Sequence, residues 1–414
     1  MRKRLDTIAI LGGGPAGSAL ACHLIEQGRT VVLFDDGSKP DLIVGESLVP
    51  AILPMLDQLG VKDRVAAISL LKPGVSFIFD RHETIAFDFQ SVARCKLPTF
   101  AYNVPRPAFD RIIAQRAEEL GVARISQRAK VQRVSGDRVA LSPETLAAAP
   151  ALDGRQPDLI VDASGRSRML GRTLDIATQC GPRKDVAYFA HYDGFEEEKP
   201  RGQVLITRLA VGWSWRIPLP DRLSVGVVVN REEAAHLGTT PEQRLEAAIA
   251  RDPVLAAAGS RRTRISPVMT YSNYQLVSEV GHGANWVMVG DAYGFVDPML
   301  SPGLMLALHS AKLLATHLEQ PEKYASAMRE WLQAWMELVG YLYDGRLFAM
   351  YHTGMAIERK YPGRFTGLMH VHMENQVACM ASGASTLSRY SRGLVKLMAR
   401  YGTWLANPAD LMIV

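Results

Sequence analysis

Residues 7–35 read TIAILGGGPAGSALACHLIEQGRTVVLFD, and this stretch decides the fold. A short apolar run, Thr7 to Leu11, breaks into Gly12-Gly13-Gly14-Pro15-Ala16-Gly17. A helical apolar pattern follows to Gln27-Gly28, and Thr30 to Phe34 is a second β-rich run. Strand, glycine turn, helix and strand make one βαβ unit of about thirty residues. Gly12, Gly14, Ala16 and Gly17 stand where a backbone turns sharply, approaches a pyrophosphate and packs on a sheet. The helix N-terminus offers unpaired N–H groups to phosphate. Asp35 ends the second strand about twenty residues on, where an acid can bind a ribose hydroxyl.

Working outward, Leu53, Leu56 and Leu59 mark a helix that stops at Gly60. Val75–Asp80 and Thr84–Phe89 form a hairpin, Phe109–Gly121 a helix, and Lys130–Leu141 a second hairpin. Ser142–Pro157, rich in Ala and Pro, reads as a surface insertion. Leu159–Ala163 and Trp286–Val289 are core strands, while Asp185–Asn230 alternates like an antiparallel sheet. After Ser301-Pro302-Gly303 the pattern stays helical nearly to the last residue. The expected architecture is α/β: a Rossmann-like nucleotide-binding domain (1–70, 96–180 and 270–320), an antiparallel-sheet domain for substrate (71–95 and 181–269) and a helical C-terminal region (321–414).

The 414 residues are 48% apolar with a formal net charge of +5, a composition for a large core and a solvated surface. The Lys and Arg residues are scattered, which argues against a nucleic-acid groove. Cys22, Cys95, Cys180 and Cys379 lie far apart with no C-x-x-C, a spacing that supports neither zinc nor a disulfide framework and points to a reducing cytoplasm. The first apolar run is too short for a signal segment, and no run of 18 apolar residues occurs, so no membrane span is expected; a membrane is not the expected partner. His370-Val371-His372 with Glu374 offers histidines at i and i+2, which do not share a helix face, so no metal is expected. The Met-rich stretches 350–355 and 369–380 suit a pliable apolar wall. Leu394–Leu411 is open to three readings: packing on the nucleotide-binding domain, facing a carrier protein, or touching a membrane surface.

Two later motifs, Asp162-Ala163-Ser164-Gly165 and Gly290-Asp291, each follow a buried strand. With them the chain resembles the FAD-binding family of aromatic hydroxylases, geranylgeranyl reductases and flavin-dependent halogenases. The resemblance implies FAD as cofactor, with Asp291 on the ribityl chain, Arg106 near the cofactor, and Glu46 and Ser47 of Gly45-Glu46-Ser47 beside the isoalloxazine. Trp213-Ser214-Trp215-Arg216-Ile217-Pro218 fits the W-x-W-x-I-P signature associated with halogenases. Lys72 stands where phenol and pyrrole halogenases carry their active lysine, and is the candidate catalytic residue. Taken alone, two tryptophans at i, i+2 simply fill a core, and a lysine before Pro-Gly is a solvated loop residue.

The same resemblance implies a halide site formed by N–H groups in Asp297-Pro298-Met299-Leu300-Ser301-Pro302-Gly303. Pro302 has no N–H to donate, which leaves the Gly303 donor and the helix N-terminal dipole. Leu300 replaces the acid of tryptophan halogenases, so free tryptophan is not the expected substrate. The implied activity is halogenation, with chloride or bromide, of an electron-rich aromatic ring by reduced FAD and dioxygen. A separate flavin reductase would supply the reduced flavin, and a carrier protein could tether the substrate. The alternatives are a monooxygenase or reductase on the same scaffold and, more remotely, a non-catalytic flavin-binding protein.

Overall fold

The computed structural model describes residues 4–38, 40, 42–195, 200–273 and 275–413. Its first layer is a five-stranded, wholly parallel sheet in the order Trp286–Met288, Leu159–Asp162, Thr7–Leu11, Thr30–Phe34, Ala123–Ile125. Ile8 pairs with Val31 on one side and Leu159 on the other. Both faces of such a sheet are covered, which is why Ile8, Ala9 and Ile10 are all fully buried and the strand reads as a continuous apolar run. The helix Pro15–Glu26 returns over the sheet and packs on the helix Gly303–Thr316. Two glycines make that return possible. Gly12 has φ +116°, and a Cβ on Gly17 would stand 2.0 Å from the Gly12 carbonyl oxygen.

The second layer is an eight-stranded sheet. Its main path runs Thr263–Arg264, Asp185–Asp193, Leu223–Asn230, Gly212–Pro218, Val204–Leu209, Gly74–Ile78 and Thr84–Asp88, with Met269–Asn273 also paired to Asp185–Asp193. All its pairings are antiparallel except Val204–Leu209 with Gly74–Ile78, which is parallel. Five helices close the molecule: Gly303–Thr316, Pro321–Tyr343, Arg346–Lys360, Arg364–Ala381 and Arg389–Tyr401. Among the described residues no helix is long and apolar enough to cross a membrane.

Ser142–Pro157 is mostly exposed, and it carries a short helix: Ser142 caps Pro143–Ala147 by accepting from the Thr145 N–H, and Thr145, Ala149 and Leu152 are buried. The Ser-Pro pair at its start is a helix-start signal that the surrounding alanines and prolines masked. One expectation needs correction: the cysteines are not all free. Cys95 and Cys379 form a disulfide across 284 residues, while Cys22 and Cys180 are unpaired. Spacing cannot reveal a pair that only the fold brings together, and the argument for a reducing compartment from cysteine usage no longer holds.

Candidate functional site

Three neighbouring parallel strands end at one place, and each is followed by residues that line a single cleft. Gly14, Pro15 and Ala16 follow the first, Ala163, Gly165 and Arg166 the second, and Val289 and Asp291 the third. Ligands of open α/β sheets bind in the crevice at these carboxyl ends. The cleft encloses about 1270 Å³ including its mouth, and Trp213, Trp215 and Tyr271 of the antiparallel sheet form its opposite wall. The residues fit an FAD. Gly14 has nothing within 4 Å of where a Cβ would sit, so the helix N-terminus presents bare backbone to the cleft. At Gly13, a Cβ would instead stand 2.4 Å from the Asp35 carboxylate. Asp35 sits at the end of its strand and is paired with Arg124 at 2.9 Å.

Burial raises the Asp291 carboxyl to about 6 against the opposing pull of the nearby Arg166 and Arg106 guanidinium groups. Arg106, the first residue of the helix Arg106–Glu119, donates to the Val44 carbonyl at 2.6 Å and contacts Asp110 at 3.2 Å. It thereby pins Gly45, whose φ is +94°, at the cleft edge. Arg166 was missed by the sequence reading. Its guanidinium stacks over Tyr271 and Phe295 and donates to the Ser272 carbonyl. Its place directly after Gly165, three residues beyond the strand Leu159–Asp162, is the signal that could have found it. Glu46 departs from expectation: Gly45 and Ser47 line the cleft, but the Glu46 carboxylate turns the other way to His191 Nε2 at 2.8 Å, and both side chains are buried.

Lys72 is 3% exposed, on the short strand Leu70–Lys72. Its Nζ donates to Ser47 Oγ at 2.8 Å and to the Leu48 carbonyl at 2.9 Å, and lies 5.2 Å from the Phe89 ring centre. Burial lowers its pKa to about 7. The amine form therefore uses both N–H groups on protein and keeps its lone pair, a nucleophile's arrangement. Lys72 faces a second, smaller cavity, about 650 Å³ with its mouth included, walled by Val75, Phe77, Phe87 and Phe89. Val204, Ile206, Leu300 and Ser301 line both cavities, so a thin apolar wall separates Lys72 from the cleft.

The tryptophan pair does two jobs. Both rings are buried core and both line the cleft. The Trp213 indole donates to Tyr343 Oη at 2.8 Å, and that hydroxyl contacts both Asp297 oxygens at 3.0 Å. This buried chain anchors the segment that leads to Gly303. Burial raises the Asp297 carboxyl to about 6. Leu300 and Ser301 then adopt φ of +67° and +59° in succession, a left-handed conformation that costs about 1–2 kcal/mol per residue. Pro302 takes the cap position, with φ −76°, before the helix Gly303–Thr316. The histidines 370 and 372 do not converge: His370 pairs with Glu358 and Glu374, and His372 with Tyr390. Among the described residues no cluster could hold a metal.

Comparison with known proteins shows the family and the fold. The family model described as tryptophan halogenase matches residues 7–97 and 90–344. A tryptophan 2-halogenase of Chondromyces crocatus is 26% identical over 403 residues, covering 92% of this chain and 76% of that protein. A 1H-pyrrole-2-carbonyl-(peptidyl-carrier protein) chlorinase of Pseudomonas fluorescens is 26% identical over 379 residues, covering 81% and 83%. The solved flavin-dependent brominase Bmp2 shares the fold, with a TM-score of 0.75, 21% identity and coverage of 96% and 98%.

Proposed function

This chain belongs to the tryptophan halogenase family of FAD-dependent enzymes, and from that premise we propose that it halogenates an electron-rich, largely apolar aromatic ring held against Lys72. One observation carries the reading: a buried lysine with a lowered pKa stands one side-chain wall away from the cleft that fits FAD. Bound FAD, reduced by a separate flavin reductase, supplies the oxidation of chloride or bromide by dioxygen to hypohalous acid. The protein's own residues then do the rest. Gly14, the Asp35 strand end, Arg106, Ser47 and Asp291 hold the cofactor, and Gly303 offers its N–H to halide. Lys72, as the amine, takes halogen from hypohalous acid with release of water. The ring takes halogen from nitrogen and returns its proton to the amine, which restores Lys72.

The walls of the Lys72 cavity favour an apolar ring. Asp88, Ser301 and Lys72 are the polar groups in a lining of aliphatic and aromatic side chains. Leu300, in the same wall, is the residue that by resemblance replaces the acid of tryptophan halogenases. The pyrrole relative acts on a carrier-bound ring, and a tethered substrate is part of the proposal here. The test is turnover with an aryl panel and a flavin reductase, with and without bromide, read by isotope pattern in mass spectrometry. Bromine-free oxygenated product would support a monooxygenase, the reading that Pro302 favours through its missing N–H.

A further inference from the structure

Of the sixteen large hydrophobic side chains exposed among the described residues, twelve fall between Met355 and Met412. They are concentrated on the last helices rather than scattered, which marks a surface with an apolar partner. The helix Arg389–Tyr401 shows how they are arranged. Ser391, Val395 and Ala399 form its buried face. Tyr390, Leu397 and Tyr401, at i, i+7 and i+11, form an exposed apolar stripe, 62%, 54% and 63% accessible. Arg389, Lys396 and Arg400, also at i, i+7 and i+11, form an exposed basic stripe beside it. Trp404, 68% accessible, continues the apolar face, and Phe365 and Leu368 add to it from the neighbouring helix. From 355 to 405 the exposed charged residues are all basic: Arg359, Lys360, Arg364, Arg389, Lys396 and Arg400. The acids of this stretch, Glu358 and Glu374, have side chains 46% and 35% exposed, and both are paired with His370.

Under this face lies a third cavity, about 760 Å³ with its mouth included, whose walls include Met350, Met369, Met373, Met398 and Trp404. Met369 and Trp404 belong both to these walls and to the exposed surface, so the cavity opens where the apolar face is. Its inner wall is shared: Phe87, Leu347 and Val377 line this cavity and the Lys72 cavity alike.

We propose that the face of the last two helices docks on an anionic lipid surface, and that the Met-lined cavity is the entrance through which a lipophilic aromatic substrate passes from that surface to Lys72. Aromatic and aliphatic side chains bordered by six exposed Lys and Arg residues, against Asp410 as the one exposed acid between Met355 and Met412, match an interface of acyl chains and anionic headgroups. The lack of a long apolar run excludes a span; a helix that lies on a surface needs none. The docking stands on the surface alone, whereas the entrance route rests on the assignment of Lys72.

The test uses the full chain with FAD bound and vesicles of phosphatidylcholine, with and without phosphatidylglycerol. The protein should sediment with the anionic vesicles and be released by salt. Lys396→Glu with Arg400→Glu, both at exposed positions, should weaken the partition by roughly thirtyfold or more. Brominated acyl chains should quench tryptophan emission in the wild type but not in Trp404→Phe, which removes the one tryptophan in this face. Failure to bind anionic vesicles would overturn the proposal, as would binding that ignores lipid charge. So would light scattering that shows a dimer dissociated by Leu397→Glu, since a second copy would then own the face. None of these readouts requires halogenation, so a failure of the enzymatic reading leaves this test intact.

Discussion

The ε-amino group of Lys72 stands 2.8 Å from the hydroxyl of Ser47. Ser47 faces the cleft and Lys72 faces the apolar cavity, so this bond crosses the wall between them. It fixes the direction of the amine and links the two compartments in which the proposed chemistry is divided.

Replacing Lys72 with Met should therefore separate the two halves. Halogenated product should fall by about two orders of magnitude or more, the range a positioned group contributes to a transfer step. FAD affinity and reductase-coupled oxygen consumption should stay close to wild type, because Lys72 does not line the cleft. Undiminished product would remove Lys72 from the reaction.

The lowered lysine pKa gives two pH signatures with a definite sign. Halogen transfer should rise as pH rises through about 7, as the amine replaces the ammonium. The unfolded lysine keeps its proton up to its ordinary 10.5, so between about 7 and 10.5 the unfolded chain binds more protons than the folded one. Stability should then increase with pH across that window and decrease as pH falls through it. Urea unfolding of wild type and Lys72→Met, compared across the same range, isolates the lysine contribution.

At the glycine turn, two substitutions should diverge. Gly14→Leu places a side chain in open cleft, so the protein should fold, judged by circular dichroism, but purify without yellow colour or flavin absorbance. Gly12→Leu should fail earlier, because φ is +116° there and the Cβ would lie 2.5 Å from the Ala163 carbonyl oxygen. A yellow Gly14→Leu protein would refute the placement of FAD.

Pro302→Ser restores an N–H at the start of the helix Gly303–Thr316. A hydrogen bond to a charged acceptor contributes about 1.5–3 kcal/mol, so the halide concentration for half-maximal turnover should drop by roughly ten- to a hundredfold. Serine adopts φ −76° without strain, so stability should change little. Rates against chloride and bromide in both proteins provide the check. Hydroxylation in both, with no response to halide, would establish the monooxygenase reading instead.

Tyr343→Phe removes the hydroxyl that joins Trp213 to Asp297. The loss should be about 1–3 kcal/mol at pH 7, where the buried carboxylate is charged and left short of a partner. At pH 5 it should be smaller, since Asp297 titrates near 6 and is then neutral. Paired denaturation curves at the two pH values would show the difference.

The nucleotide-binding core was legible because its signal is local. The change from strand to helix periodicity around Gly12–Gly17 occurs within one βαβ unit, and the later strands at Leu159 and Trp286 are apolar runs that end in glycine-bearing motifs. The site was legible only where a motif carried it. Arg166, the Glu46–His191 pair and the Trp213–Tyr343–Asp297 chain join residues from different layers, the pair across 145 positions. No periodicity encodes such a contact, and Glu46 shows the cost: the motif could not tell which way the side chain of an extended segment would turn.

The bond between Cys95 and Cys379 closes most of the polypeptide into a covalent ring. The antiparallel sheet from Asp185 to Asn273 lies on that ring, whereas the glycine turn and the helix Arg389–Tyr401 hang from it as tails. A protease that cuts once between the two cysteines opens the ring without separating its pieces. Such a nicked molecule would keep its mass and both halves of its site until a thiol reductant released them, so limited digestion of this protein has to be read on reducing and non-reducing gels side by side.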